Sequence, residues 1–272
     1  MIYKVWQPDL PLSDYIKEMV YHKGHRPSHT KDRFLPDGTL NLVVDLQDEP
    51  KYIYDNLNLE EKQKCERAWF SGMHTEYLTI SSGIDAEMMV VTFKAEGSFP
   101  FVNTPLHEFS NKVVDAELVF GEDILSLREE LKSESKPEVK FKRMEEWLLS
   151  ARKEVVFSGD VIPQLVQQIR ETPSEVNLKD IAERSGYSQK QFIHLFKKYV
   201  GLSPKQYHRI VRFNEILEMI YGEKQIEWAM VAASCGYFDQ AHFIRDFQAF
   251  SGLNPKKYIT DQGDYRNYVP LK

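Results

Sequence analysis

Gln240, Ala241, Ile244 and Arg245 fall at i, i+1, i+4 and i+5, so a helix through them would carry all four on one face. A carboxamide on such a face can pair bidentately with adenine, a guanidinium can pair with guanine or a phosphate, and Ala and Ile can touch thymine methyls. Asp239 stands just before this set and Gln248 just after it. About fifty residues earlier, Gln189, Lys190, Ile193, His194 and Lys197 repeat the arrangement, with cations suited to phosphates and an amide suited to base edges. Aromatic stripes back both sets: Phe192, Leu195, Phe196 and Tyr199 behind the first, Phe243, Phe247 and Phe250 behind the second. The chemistry on offer is recognition of a polyanion, with no nucleophile in either set.

The elements that must hold these faces occur twice. Leu178 to Gly186-Tyr187 and Trp228 to Gly236-Tyr237 each read as a short helix running into a glycine turn. Ala182 is small enough for a close helix crossing, and Gly186 permits the positive φ that redirects the chain. Each copy then closes with matched spacing, through Gly201, Pro204 and Tyr207 or through Gly252, Pro255 and Tyr258, the second having one extra residue after Gly-Tyr. A helix of about 19 residues, 203–221, joins the copies and spans roughly 28 Å at 1.5 Å per residue. Successive major-groove faces on one side of a duplex lie about 34 Å apart. The stripe Ile162, Leu165, Val166, Ile169 predicts a preceding helix, with Asp160 as its N-cap and Pro173 beyond its end. The competing possibility is a helical repeat that makes protein contacts only.

The run Gly236-Tyr237-Phe238-Asp239-Gln240-Ala241-His242-Phe243-Ile244-Arg245-Asp246-Phe247, followed by Gly252-Leu253-Asn254-Pro255-Lys256-Lys257-Tyr258, resembles the DNA-binding domain of the AraC/XylS family of bacterial transcription regulators. The resemblance covers 160–260 and implies seven helices, two helix-turn-helix units and sequence-specific binding of double-stranded promoter DNA. It places base reading on Lys190, Ile193 and His194 and on Gln240, Ala241, Ile244 and Arg245. The first reader departs from expectation by offering Ile193 and His194 where an amide and an arginine would be easier to rationalise. The resemblance also implies RNA polymerase as a partner and carries an expectation of activation, although the residues themselves do not separate activation from repression.

Charge agrees with this division. Residues 161–272 hold 15 Lys and Arg against 12 Asp and Glu, about +3, so 1–160 carry about −9 of the net −6. The acidic part reads mainly as short strands: Leu40 to Leu46 after the turn Pro36-Asp37-Gly38-Thr39, Met88 to Phe93, Tyr77 to Ile80, and Lys51 to Tyr54. From Glu122 the period turns helical, with stripes Ile124, Leu127, Leu131 and Phe141, Met144, Leu148. These two helices would close the N-terminal domain, pair with a second subunit, or both. The stretch Glu154 to Gly159 reads as the boundary. The expected architecture is therefore α+β with two domains: 1–153 a β-rich, cupin-like barrel with helices for sensing, effector binding and dimerisation, and 160–272 the all-α DNA-binding domain.

Arg33-Phe34-Leu35-Pro36-Asp37-Gly38 is similar to a segment carried by a group of these regulators. Arg33 is either paired to an acid beside a tight turn or bound to an anionic effector group. His74 is a second, weaker effector candidate. His22, His25 and His29 sit in what reads as a loop full of cations, so no metal site is expected, and no cofactor. The two cysteines, Cys65 and Cys235, have no Cys neighbours, which excludes a disulfide framework and a zinc-dependent repair chemistry. With no catalytic triad, phosphate loop, secretory leader or run of about 20 apolar residues, the expectation is a cytoplasmic regulator that is not an enzyme and does not enter a membrane. A small-molecule effector is the leading control; regulation by a protein partner or by abundance, without a ligand, is the alternative. Homodimerisation is left open.

Overall fold

The computed structural model describes residues 1–102, 104–154 and 161–271. The boundary expected at 154–159 and the cap expected at Asp160 therefore lie almost wholly outside the described residues. Among the described residues, ten strands come first: β1 (Ile2–Trp6), β2 (Ile16–His25), β3 (Lys31–Phe34), β4 (Leu40–Asp45), β5 (Lys51–Tyr54), β6 (Glu61–Cys65), β7 (Ala68–Ser71), β8 (Leu78–Ser81), β9 (Ala86–Phe93) and β10 (Val113–Asp115). Helices α1 (Phe99–Val102), α2 (Ala116–Phe120), α3 (Asp123–Ser133) and α4 (Pro137–Ala151) complete the N-terminal domain. Among the described residues, seven helices make the C-terminal domain: α5 (Val161–Glu171), α6 (Leu178–Arg184), α7 (Gln189–Val200), α8 (Pro204–Ile220), α9 (Trp228–Ser234), α10 (Gln240–Ser251) and α11 (Pro255–Asp261). A final strand, β11 (Tyr268–Leu271), follows.

One antiparallel sheet has the order β1-β2-β9-β4-β7-β10 and the other β11-β3-β8-β5-β6. In β4, Leu40, Leu42 and Val44 are fully buried on one face, and Asn41 and Val43 lie on the other. Strand β9 alternates in the same way, Met89, Val91 and Phe93 against Met88 and Val90. The strands are apolar on both faces because the first sheet is covered twice. Helices α3 and α4 pack its outer face through Ile124, Leu127, Leu131, Phe141, Met144 and Leu148, the two stripes legible in the sequence. The second sheet covers the inner face, around Ile53, Cys65, Trp69 and Val113.

Two buried cations pin these layers, and each is paired as burial demands. Arg128, 3% exposed, reaches from α3 to donate to the carbonyls of Asp45 and Gln47, each at 2.6 Å, and to the Asp48 carboxylate at 2.7 Å. Lys140 reaches from α4 to the Leu131 carbonyl and to Glu87, which also accepts from Tyr21 at 2.7 Å.

Two features depart from the sequence reading. His22 and His25 lie within β2, which pairs with β9, and not in a cationic loop; long-range pairing overrides the local composition. Burial lowers the pKa of His22 to about 4, with His25 and Lys51 adding to the effect. The last strand, β11, pairs antiparallel with β3, Val269 opposite Arg33, so the end of the helical domain's chain completes a sheet of the β-rich domain. The core is accordingly continuous across the seam.

Candidate nucleic-acid interface

The repeated Gly-Leu-x-Pro-x-x-Tyr endings have a plain physical cause. Ser188 and Ser203 each form a capping box, with Gln191 and Gln206, at the starts of α7 and α8. Asn254 caps α11 through the Lys257 N–H at 2.8 Å. Pro204 and Pro255 occupy first-turn positions where no N–H is needed. Tyr207 and Tyr258 are then buried beneath, at 1% and 0% exposure. Gly252 ends α10 in the left-handed region, φ 68°, and any side chain there would meet the Tyr77 ring.

On α7, Gln189, Lys190, His194 and Lys197 are exposed and Ile193 is half-buried, while Phe192, Phe196 and Tyr199 face inward. On α10, Gln240, Ala241, Arg245 and Gln248 are exposed and Ile244 is half-buried over Phe243, Phe247 and Phe250. Both outward sets thus share the face that the spacing assigned them. Asp239 has a structural employment: its carboxylate caps α10, accepting from the His242 N–H at 2.7 Å. The extra residue of the second copy is Phe238, which stands 96% exposed in the turn before this cap.

Helix α8 grips the second unit through residues that the spacing did not single out. Arg209 makes a two-pronged pair with Asp246 of α10, at 2.7 and 3.2 Å, and this bond raises its pKa. Arg212 lies 4.0 Å over the Tyr237 ring and donates to the Cys235 carbonyl at 2.7 Å. Next to Arg209, His208 bonds the Pro173 carbonyl at 2.6 Å. Only the tertiary fold brings these partners together, so a local pattern could not reveal them.

The N-terminal domain holds the C-terminal ends of both outward-facing helices. At α7, Ser110 donates to the Gly201 carbonyl and Phe99 meets Tyr199 edge-on at 4.7 Å. At α10, Arg33 donates to the Ser251 carbonyl at 3.0 Å while lying 4.1 Å over the Tyr77 ring. Asn214 of α8 donates to the Pro36 carbonyl at 2.9 Å. Arg33 therefore sits on the seam between domains. It does not line the cavity, of about 460 Å³, that lies between the two sheets. His74 does line it, 3.0 Å from Ser71 Oγ, with burial lowering its pKa to about 4.

Comparison with known proteins agrees with the two-part architecture. A helix-turn-helix domain model matches residues 181–261, and a domain of unknown function, DUF6597, matches 4–115. The multiple antibiotic resistance protein MarA of Salmonella typhimurium is 33% identical over 100 residues, 36% of this chain and 78% of MarA. The probable transcriptional regulator LumQ of Photobacterium leiognathi is 27% identical over 84 residues, 31% of this chain; the match spans about a third of LumQ's length, 34%. Among solved structures, an apo form of ToxT from Vibrio cholerae aligns over 89% of this chain and 97% of its own, at 11% identity and a TM-score of 0.47. No helix among the described residues is long and apolar enough to cross a membrane. On the repeated reader and the MarA match, the chain belongs to the AraC family of DNA-binding transcription regulators.

Proposed function

We propose that the two helix-turn-helix units read adjacent major grooves of one promoter site, and that the N-terminal domain controls them through a small effector. What supports this most is the exposure of the outward faces of α7 and α10, with α8 packed against both helices. Strand and loop groups of the domain that encloses the cavity hold the far ends of α7 and α10. Helix α8 has 17 residues, roughly 25 Å at 1.5 Å per residue, a spacer suited to holding two readers about one turn apart. Gln240 and Arg245 read base edges in this scheme, Ala241 and Ile244 meet thymine methyls, and Lys190 and Lys197 meet phosphates. Gln189, Ile193 and His194 complete the first reader, whose apolar centre gives it fewer hydrogen-bonded base contacts. RNA polymerase is a partner by family resemblance.

Selection of bound duplexes from a random library, with the full chain at near-physiological salt, tests the double reader. Two short boxes about one helical turn apart are expected. On the selected site, Arg245→Ala should lower specific affinity by about 1–3 kcal/mol while leaving non-specific binding nearly unchanged. Equal losses on both would remove Arg245 from base reading.

A further inference from the structure

The walls of the cavity between the sheets include Val20, Val43, Trp69, Leu78, Ile80 and Met88. Strand register puts Tyr268 level with Leu78 at one end of β8, and Lys51 beside Ser81 and Gly83 at the other. Lys51 lines the cavity at 3% exposure. Its ammonium is poorly matched: Asp45 is 3.5 Å away and the Glu49 carbonyl 3.4 Å, where a well-formed charged bond is about 2.8 Å. His22, beside it, is held neutral by its burial and neighbouring charge. Asp32, Asp37 and Asp264 lie among the lining groups and would turn an anionic group away from themselves. An apolar chamber with one under-satisfied buried ammonium is complementary to a compact apolar body bearing a single anionic group.

The remaining wall comes from the chain's last segment. Asp264, Tyr265, Asn267 and Tyr268 line the cavity. Tyr265 stacks on Tyr3 at 5.9 Å, and the Tyr268 hydroxyl donates to Asp32 at 2.9 Å. The same segment is fastened to the reader: Asn267 donates to Asn214 of α8 at 2.8 Å, Arg266 pairs with Glu218 of α8 at 3.1 Å, and Tyr258 donates to the Arg266 carbonyl at 2.6 Å. A molecule in the chamber would thus touch the barrel and the element tied to α8 at once.

We propose that this chamber binds a compact apolar molecule with one anionic group, and that residues 264–271 are the wall through which its occupancy reaches α8. This rests on the effector reading above and adds the ligand's class and the moving part. Linkage makes the effect reciprocal: a ligand that contacts the docked tail stabilises docking, and a docked tail tightens the ligand.

Two fluorescent probes test it on the full chain at neutral pH. 1-Anilinonaphthalene-8-sulfonate should bind one-to-one, and N-phenyl-1-naphthylamine, the same body without the sulfonate, at least tenfold more weakly. Met88→Trp, which takes up part of the chamber, should weaken binding of the anionic probe at least tenfold. Bound probe should slow amide exchange at Val269 and Leu271 at least tenfold. An oxidised Lys31→Cys/Leu271→Cys pair, which pins β11 to β3, should tighten probe binding, and reduction should reverse it. Equal affinity for the two probes, or undiminished binding to a folded Met88→Trp chain, overturns the site. Binding with no protection of the tail, or no effect of the pinned pair, overturns the coupling. None of these measurements involves DNA, so their failure leaves operator selection standing, and a failed selection leaves them standing.

Discussion

Arg33→Met isolates the grip of the N-terminal domain on the second reader. The substitution keeps an unbranched stem and removes the charge and the donors. The Ser251 carbonyl, in a wholly buried residue, loses a charged donor at 3.0 Å, worth about 1.5–3 kcal/mol. The Tyr77 ring loses a cation at 4.1 Å, worth about 1 kcal/mol when partly desolvated. Against these, Arg33 is 8% exposed, its Nε has no acceptor, and burial lowers its pKa, so removing it returns about 1–3 kcal/mol of desolvation. The balance is about 1.5 kcal/mol against docking, close to tenfold in the docked-to-undocked ratio. Native-state amide exchange reads this locally. Exchange at the end of α10 and along β3 and β11 should quicken about tenfold, while α3 and α4 are unchanged. Tyr77→Leu alone should do less, and the double variant should show a coupling above about 0.5 kcal/mol. Unchanged exchange at the seam, uniform acceleration through the chain, or strict additivity with Tyr77→Leu would refute the clasp.

Three further outcomes follow from the same geometry. Asp239→Ala should cost about 1 kcal/mol and fray α10, whereas Asp239→Asn keeps the cap; an Asn variant of unchanged stability but altered base preference would make Asp239 a reader. His22 and His74 are neutral in the fold, their pKa values lowered to about 4 from the ordinary 6.5, so the unfolded chain takes up protons first. The histidine contribution to stability should therefore be level above pH 7 and fall from pH 6.5 towards 4, by up to about 1.4 kcal/mol per pH unit for each histidine, with His208 adding to it in the same sense. Urea midpoints at pH 7.5, 6.5 and 5.5 check this, and His22→Gln or His74→Gln should flatten the slope. Burial pushes the thiols of Cys65 and Cys235 up to about 12, so a disulfide-exchange reagent at pH 8 should react with neither in the native chain and with both in urea.

The reader was legible because its information is local. Caps, turn glycines and aromatic stripes recur within a few residues of one another, and each fixes a neighbour's conformation. The stripes of α3 and α4 were legible for the same reason, and β4 and β9 through their apolar runs. Strands β1 and β2 were missed because their residues resemble loop or mixed segments until β9 supplies the pairing. The histidines of β2 misled by composition, since nothing near them in sequence shows that they face a cavity. Arg33 reads in the sequence as either the partner of an acid or an anion ligand, and the groups it meets, Tyr77 and Ser251, stand far away in the chain. Lys51 and the tail carried no local signal, because a chamber wall is defined only by what faces it.

Strand β11 also sets a schedule. Asp32 and Tyr268 are 236 positions apart, yet they sit side by side in one sheet. During synthesis the barrel emerges first, with the edge of β3 unpaired and a chamber wall missing, while the helical domain is still to be made. The second sheet reaches its full width only after every reader helix has left the ribosome. The two domains therefore mature together, and a nascent chain cannot present a finished chamber ahead of its helical domain. A break in β11 strikes the second sheet and the cavity wall, not the exposed faces of α7 and α10.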